Sequence, residues 1–289
     1  MGLRLKFNLV MLVVFLLGLG VSGYVSYDLL HKNARDEVLR NAGVMMEAAL
    51  SMRSYTVGQV RPLLPYDPDT FHPQSVPAYA ASAIMNQLRK KYSDYAYKEA
   101  ALNPTNPSNR AVEWETDIVN SFRNDNGLTE LSGMRETPTG RSLYLARPFQ
   151  IKDKACLACH TNAEMAPAAM VKIYGTNNGF GWKHMEVIGA QIVSVPMALP
   201  IQNANRAFYT FMGSLTAVFV ALFIILNIMM SVLIVRPITS MSKAADEIST
   251  GNMEIPEFSE SGGDEVSLLR KSFNRMRRSL EKAIELIEK

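Results

Sequence analysis

Cysteine is nearly absent from this 289-residue chain: there are two, Cys156 and Cys159. Two thiols cannot complete a zinc site, and the other histidines, His31, His72 and His184, lie far away in sequence. An excess of charge of either sign is also lacking, with 30 Lys and Arg against 27 Asp and Glu and a formal net charge of +3. No basic footprint stands out, so a nucleic-acid partner is not expected. No glycine-rich loop follows a strand pattern, and no nucleophile, base and orienting group form a set. No repeat or low-complexity tract interrupts the chain. The chain is therefore expected not to be an enzyme.

What the chain does have is long apolar runs, and they organise it. Phe7 to Tyr27, FNLVMLVVFLLGLGVSGYVSY, carries no charge and is long enough to span a bilayer. A cleaved secretory signal has a shorter core and a small-residue cleavage site, which Gly20 to Gly23 imitates weakly, so the run reads as an uncleaved span. Ala207 to Val235 is a second span, bracketed by Arg206 and Arg236. Arg4, Lys6, Arg236 and Lys243 favour both termini inside, against Lys32, Arg35 and Arg206 on the other flank. The expected plan is a cytoplasmic N-terminus and first transmembrane helix at 1–27, an extracytoplasmic domain at 28–206, a second transmembrane helix at 207–235 and a cytoplasmic segment at 236–289.

The outer segment starts helical. Leu29, Val38, Val44, Met45, Ala48, Ala49, Met52 and Val60 recur at helical spacing from Asp28 to about Leu64, where Pro62 and Pro65 end the pattern. A connection holding Pro65, Pro68, Pro73 and Pro77 leads to a second helix at Ala78 to Lys91. The loop NPTNPSN, Asn103 to Asn109, and a helix at Ala111 to Arg123 follow. Ser142 to Ile151 and Val187 to Val195 are rich in β-branched and aromatic residues and predict antiparallel strands. The domain is therefore expected to be α+β, helices first and a small sheet after.

Both cysteines fall in the stretch ACLACH, Ala155 to His160. C-x-x-C-H is the attachment signature of a c-type haem, in which each thiol adds across a porphyrin vinyl group and the adjacent histidine ligates iron. Attachment takes place outside the cytoplasm, where the topology puts Cys156 and Cys159. A thioredoxin-like pair is the main rival, and Val195-Pro196 sits roughly where such folds carry a proline loop. That motif should follow a buried strand and open a helix, whereas IKDKA precedes it here and TNAEMAP follows. One motif implies one haem, which suits sensing better than long-range electron wiring. The sixth iron position has Met52 as first candidate, then Met45, Met46, Met165, Met170, Met185, His72 and His184.

Beyond the second span, Ile238, Met241, Ala245 and Ile248 step by three and four. After a Gly- and Ser-containing connector, Val266, Leu269, Phe273, Met276, Leu280, Ala283 and Ile287 do the same. That is a coiled-coil seam on two amphipathic helices, and it asks for a second copy of the chain. Pro237, Gly251, the connector with Met253, Ile255 and Phe258, and the Asp264-Glu265 pair resemble a HAMP linker. Such linkers relay movement of membrane helices to a cytoplasmic output. This chain stops soon after, so the output is expected on a separate or missing protein segment.

The outer segment also resembles a known family. MRSYTVGQVRPLL at Met52 to Leu64, VPAYAA at Val76 to Ala81, ALNPTNPSNRAVEWE at Ala101 to Glu115, CLACH, GFGW and EVIGAQIVSVPM ending at Met197 together resemble the extracytoplasmic c-type-haem, PAS-like sensor family. The resemblance implies a PAS-like sheet with long flanking helices, haem c on Cys156 and Cys159, and His160 as proximal ligand. It also implies a receptor answering to redox state or a small gas; together with the two spans and the coiled-coil seam, the expected protein is a two-pass homodimer of a bacterial inner membrane with a periplasmic sensor. Some relatives supply a distal cysteine from the first helix. This chain has no third cysteine, which moves that choice to methionine, another side chain or water. Two other functions stand beside it: a membrane-anchored cytochrome that only carries electrons, and a thiol-disulfide oxidoreductase.

Overall fold

The computed structural model describes residues 2–64 and 70–287; Pro65, Pro68 and the side chain of Ile287 lie outside the described residues. Two compact units emerge, Asp28–Arg206 and a second made of Met1–Tyr27 with Ala207–Lys289.

In the unit Asp28–Arg206, the first helix, α1 (Leu3–Tyr55), contributes its C-terminal half. Val38, Ala42, Met46, Ala49, Arg53 and Thr56 step by four, four, three, four and three, so they form one row along the helix. The first four are fully buried. After Tyr55 the helix widens into a π turn, Thr56–Val60, and then tightens into a 3-10 turn, Arg61–Leu63. Pro62 stands in that last turn, as its missing N–H predicts. Helix α2 (Pro77–Arg89) opens on a proline at its first position, where no intrahelical donor is needed.

Four strands form one antiparallel sheet: β1 (Ala96–Ala101), β2 (Leu131–Thr137), β3 (Gly140–Gln150) and β4 (Val187–Pro196), in the order β1-β4-β3-β2. The two expected strands are β3 and β4; β1 and β2 flank them as edges. Side chains alternate across the sheet. Tyr97, Leu143, Leu145, Val193 and Val195 pack with α1 and α2 on one face. Ala100, Ala146, Ala190 and Ile192 pack on the other face with Ile118, Val119 and Phe122 of α3 (Glu113–Asn124). The layout is α+β, with helices on both faces of a small sheet.

The connection from β3 to β4 carries two short helices, α4 (Leu157–His160) and α5 (Ala168–Tyr174). The second unit holds the N-terminal half of α1, α6 (Ala198–Met230) from Ala207 onward, α7 (Arg236–Ser249) and α8 (Glu265–Ile287). Among the described residues, two helices are long and apolar enough to cross a membrane. Phe15 stacks on Phe219 at 4.9 Å, and Tyr27 meets Phe208 edge-on at 5.6 Å. Gly18 and Gly23 face Phe219 and Met212 across this contact, the small-against-large packing that suits membrane helices.

Past α7, the connector lies along α8. Asn274, 1% exposed, accepts the Phe258 N–H at 3.1 Å and donates to the Phe258 carbonyl at 2.8 Å. Arg277 donates to the carbonyls of Ile255 and Met253.

Candidate functional site

The site is built on the connection that leaves β3. Ile151 donates to the Glu186 carbonyl and Met185 to the Ile151 carbonyl, at 2.9 and 2.8 Å, so the chain ends of this connection are tied together. The Asp153 carboxylate then accepts the Ala155 N–H at 2.9 Å and starts a 3-10 turn, Lys154–Cys156. That turn runs into α4, a single turn ending at His160. Helical spacing puts Cys156, Cys159 and His160, at i, i+3 and i+4, on one face.

His160 is fixed from three sides. Its Nδ1 donates to the Gly179 carbonyl at 2.7 Å and lies 3.4 Å from the Thr105 hydroxyl. Its ring stacks on Trp182 at 3.9 Å with 15° between the planes. With the Nδ1 proton engaged, Nε2 is the nitrogen left with a free lone pair. Burial pushes the pKa of His160 down, outweighing the Gly179 hydrogen bond, which raises it. The imidazole is therefore held neutral, the form that ligates metal.

The loop that supplies this carbonyl is itself clamped. Asn103 accepts the Gly179 N–H at 3.1 Å and donates to the Phe180 carbonyl at 3.1 Å. Gly181 donates to the Thr161 carbonyl at 3.0 Å, and Trp182 to the His160 carbonyl at 3.3 Å. Gly179 has φ +83°, and a Cβ there would overlap the Thr105 side chain and come within 2.7 Å of its Cα. Glycine is the residue that fits.

Cys156, Cys159 and His160 border one cavity of about 1040 Å³. Its wall also includes Arg53 of the row on α1, Arg61 of the 3-10 turn after it, Tyr79 and Asn86 of α2, Glu99 of β1, Ile188 and Ile192 of β4, and Met170 and Tyr174 of α5. The volume is just above the roughly 300–1000 Å³ of small-molecule sites. Burial raises the pKa of both thiols; Asp153 adds to the effect at Cys156, while Arg61 opposes it at both. Neither thiol is in a disulfide. A disulfide-exchange cysteine needs the opposite shift.

The candidates for the sixth iron position separate clearly. Met170, 5% exposed, and His72 border the cavity. Met46 is in the core beneath the sheet and Met45 packs beside it. Met165 and Met185 are exposed, and His184 donates from Nε2 to the Lys152 carbonyl at 3.2 Å. Met52, the first candidate from sequence, is not on the cavity wall; its carbonyl accepts the Thr56 hydroxyl at 2.8 Å. The reason is one helical step. The buried row of α1 passes through Ala49 and Arg53, and Met52 lies about 100° away from Arg53 around the helix.

Several residues of the site escaped sequence reasoning. NPTNPSN and GFGW stand out in the sequence as loops, but nothing local says that Asn103 grips Gly179 or that Trp182 stacks on His160. Arg53 and Glu99 look like surface charges in their segments.

A family model described as Tll0287-like matches residues 31–196, and a HAMP domain model matches residues 229–282. Among solved structures, the chain is similar to the crystal structure of the cyanobacterial heme-protein Tll0287, with 16% identity over 55% of this chain and 95% of that one and a TM-score of 0.44. No curated protein matches.

Proposed function

The chain belongs to the Tll0287-like family and carries a HAMP domain, and from that premise we propose that it is a membrane-bound receptor built around one covalent haem c. In this reading Cys156 and Cys159 form the thioethers, and His160 is the proximal ligand through Nε2. The iron porphyrin supplies a centre whose charge and ligation change with redox state or with a small gas.

One observation carries the reading. Both thiols and the imidazole border the same cavity, and the hydrogen bond at His160 Nδ1 leaves the ligating nitrogen free. The donor set therefore fits the group: two sulfurs three residues apart, an adjacent imidazole in the neutral form, and room beside them. Gly179 and Trp182 fix the plane of the ring, so the ligand is in place before the porphyrin arrives. The raised thiol pKa values weigh against disulfide exchange.

Signalling in this reading runs along α1, which holds the buried row and the apolar segment in one unbroken helix, Leu3–Tyr55. The HAMP segment, as a homodimer, hands the change to a cytoplasmic output. The sensor lies outside the cytoplasmic membrane, where thioether attachment takes place.

The test is an absorption spectrum of the detergent-extracted chain, oxidised and reduced, with a pyridine haemochrome assay. The expected result is a haemochrome with two thioether bonds that is lost in the Cys156→Ser, Cys159→Ser double variant. A colourless protein from cells equipped for haem attachment would reject the proposal.

A further inference from the structure

The wall of the cavity holds a buried ion pair that the attachment site does not use. Arg53 donates to both oxygens of Glu99, at 2.7 and 2.5 Å. The Arg53 side chain is 18% exposed and that of Glu99 2%. Tyr97 donates to the same carboxylate at 2.8 Å and is itself hydrogen-bonded by Gln191. Phe149 covers the guanidinium at 4.7 Å. Arg53 and Glu99 both face the cavity.

Such a pair is weak evidence for stability, because desolvating two charges offsets most of their attraction, and apolar replacements often do as well. Its position is more informative. Arg53 is the next member of the buried row after Ala49, and Glu99 is on the edge strand β1, so the pair fastens α1 to the sheet. It is close enough to the motif for the guanidinium field to reach the Cys156 thiol and oppose in part the burial that raises its pKa. Beyond Arg53 the helix changes pitch, in the π turn Thr56–Val60. Turns of this kind often mark functional positions.

We infer that Arg53 is the charge-responsive contact of the site, the side chain through which a change of charge in the cavity acts on α1. The inference rests on the haem reading above. When one electron passes from a haem in the cavity to an external one-electron carrier, the charge in the cavity that Arg53 borders rises by one unit. That charge repels the guanidinium and attracts the Glu99 carboxylate, so the α1–β1 fastening loosens. Return of the electron restores it. Charge in a low-dielectric wall acts more strongly than the same charge in water.

The test uses the full haem-loaded chain in detergent. Redox titration gives the midpoint potential, and hydrogen exchange compares residues 45–60 in the oxidised and reduced states. The wild type should exchange faster in this segment when oxidised. Arg53→Gln should shift the potential to more negative values, because a lost positive charge favours the oxidised iron, and should abolish the exchange difference. Arg53→Lys should keep the potential near the wild type and retain the difference. The Arg53→Gln, Glu99→Gln double variant removes one charge of each sign, so its potential should lie nearer the wild type while the exchange difference is still lost. A coloured Arg53→Gln protein with unchanged potential, or one that keeps the exchange difference, overturns the inference and leaves the receptor reading intact. A wild-type protein without a haemochrome band overturns both, and it does so in the absorbance alone.

Discussion

The His160 ring is held by a backbone carbonyl, and the loop that carries that carbonyl is held by Asn103. Replacing Asn103 by alanine removes two hydrogen bonds, each worth about 0.5–1.5 kcal/mol net, so the domain should lose about 1–3 kcal/mol. Asn103→Asp keeps the acceptor for Gly179 and should fall between the two. Thermal unfolding of the detergent-extracted chain, followed by circular dichroism, checks the order. Gly179→Ala should be at least as damaging, since it combines a φ of +83° with overlap on Thr105. The thiols give a pH-dependent prediction. Their raised pKa values leave less thiolate near pH 8 than an ordinary thiol has, so alkylation of haem-free protein should be slow there. The rate should climb at higher pH and jump on addition of urea. Fast alkylation of folded protein at pH 7 would restore the disulfide-exchange reading.

At the scale of elements, what could be read from sequence follows from how local the signal is. The CLACH spacing, the proline in the 3-10 turn that follows α1 and the alternation in β3 and β4 are local, and each is where the sequence puts it. Strand β1 is different. Its sequence, AYKEAA, is rich in good helix formers, and it becomes a strand because β4 offers a full antiparallel register from Ala96–Ser194 to Ala101–Gly189. Missing β1 also hid Glu99, and without Glu99 nothing in the sequence marks the half-buried Arg53, one step around the helix from Met52, as part of the site. The β1–β4 pairing also depends on a residue without a side chain. A Cβ at Gly189 would press on the Ala100 carbonyl and lie 3.0 Å from the Ala101 Cα. Gly189→Val should therefore cost about 1–3 kcal/mol, as overpacking does, and loosen β1 first. Hydrogen exchange at Ala96–Ala101 reports it, and unchanged protection there would show that the strand pair tolerates the extra volume.

For the whole molecule, the unanswered demand is the seam on α8. Met241 and Ile248 are buried, each 6% exposed, and Phe258 packs on Phe273 at 5.5 Å, so part of the apolar surface is satisfied within one chain. Leu269, Met276 and Leu280 are not: they remain 48%, 58% and 42% exposed. They recur at steps of seven and four, the spacing of a coiled-coil face, and apolar rows of this length on a soluble helix call for a partner. In the homodimer proposed above, a second copy of the same chain would supply an identical row, and a two-fold axis along the helix would bring equivalent positions together. Cysteine at position 280 should then cross-link between copies under mild oxidation in membranes. Cysteine at position 282, on the far side of the helix where Lys282 is exposed, should not. The thiols of Cys156 and Cys159 do not interfere when they are held as thioethers. Equal cross-linking at the two positions, or none at 280, would mean that the seam meets something other than its own copy.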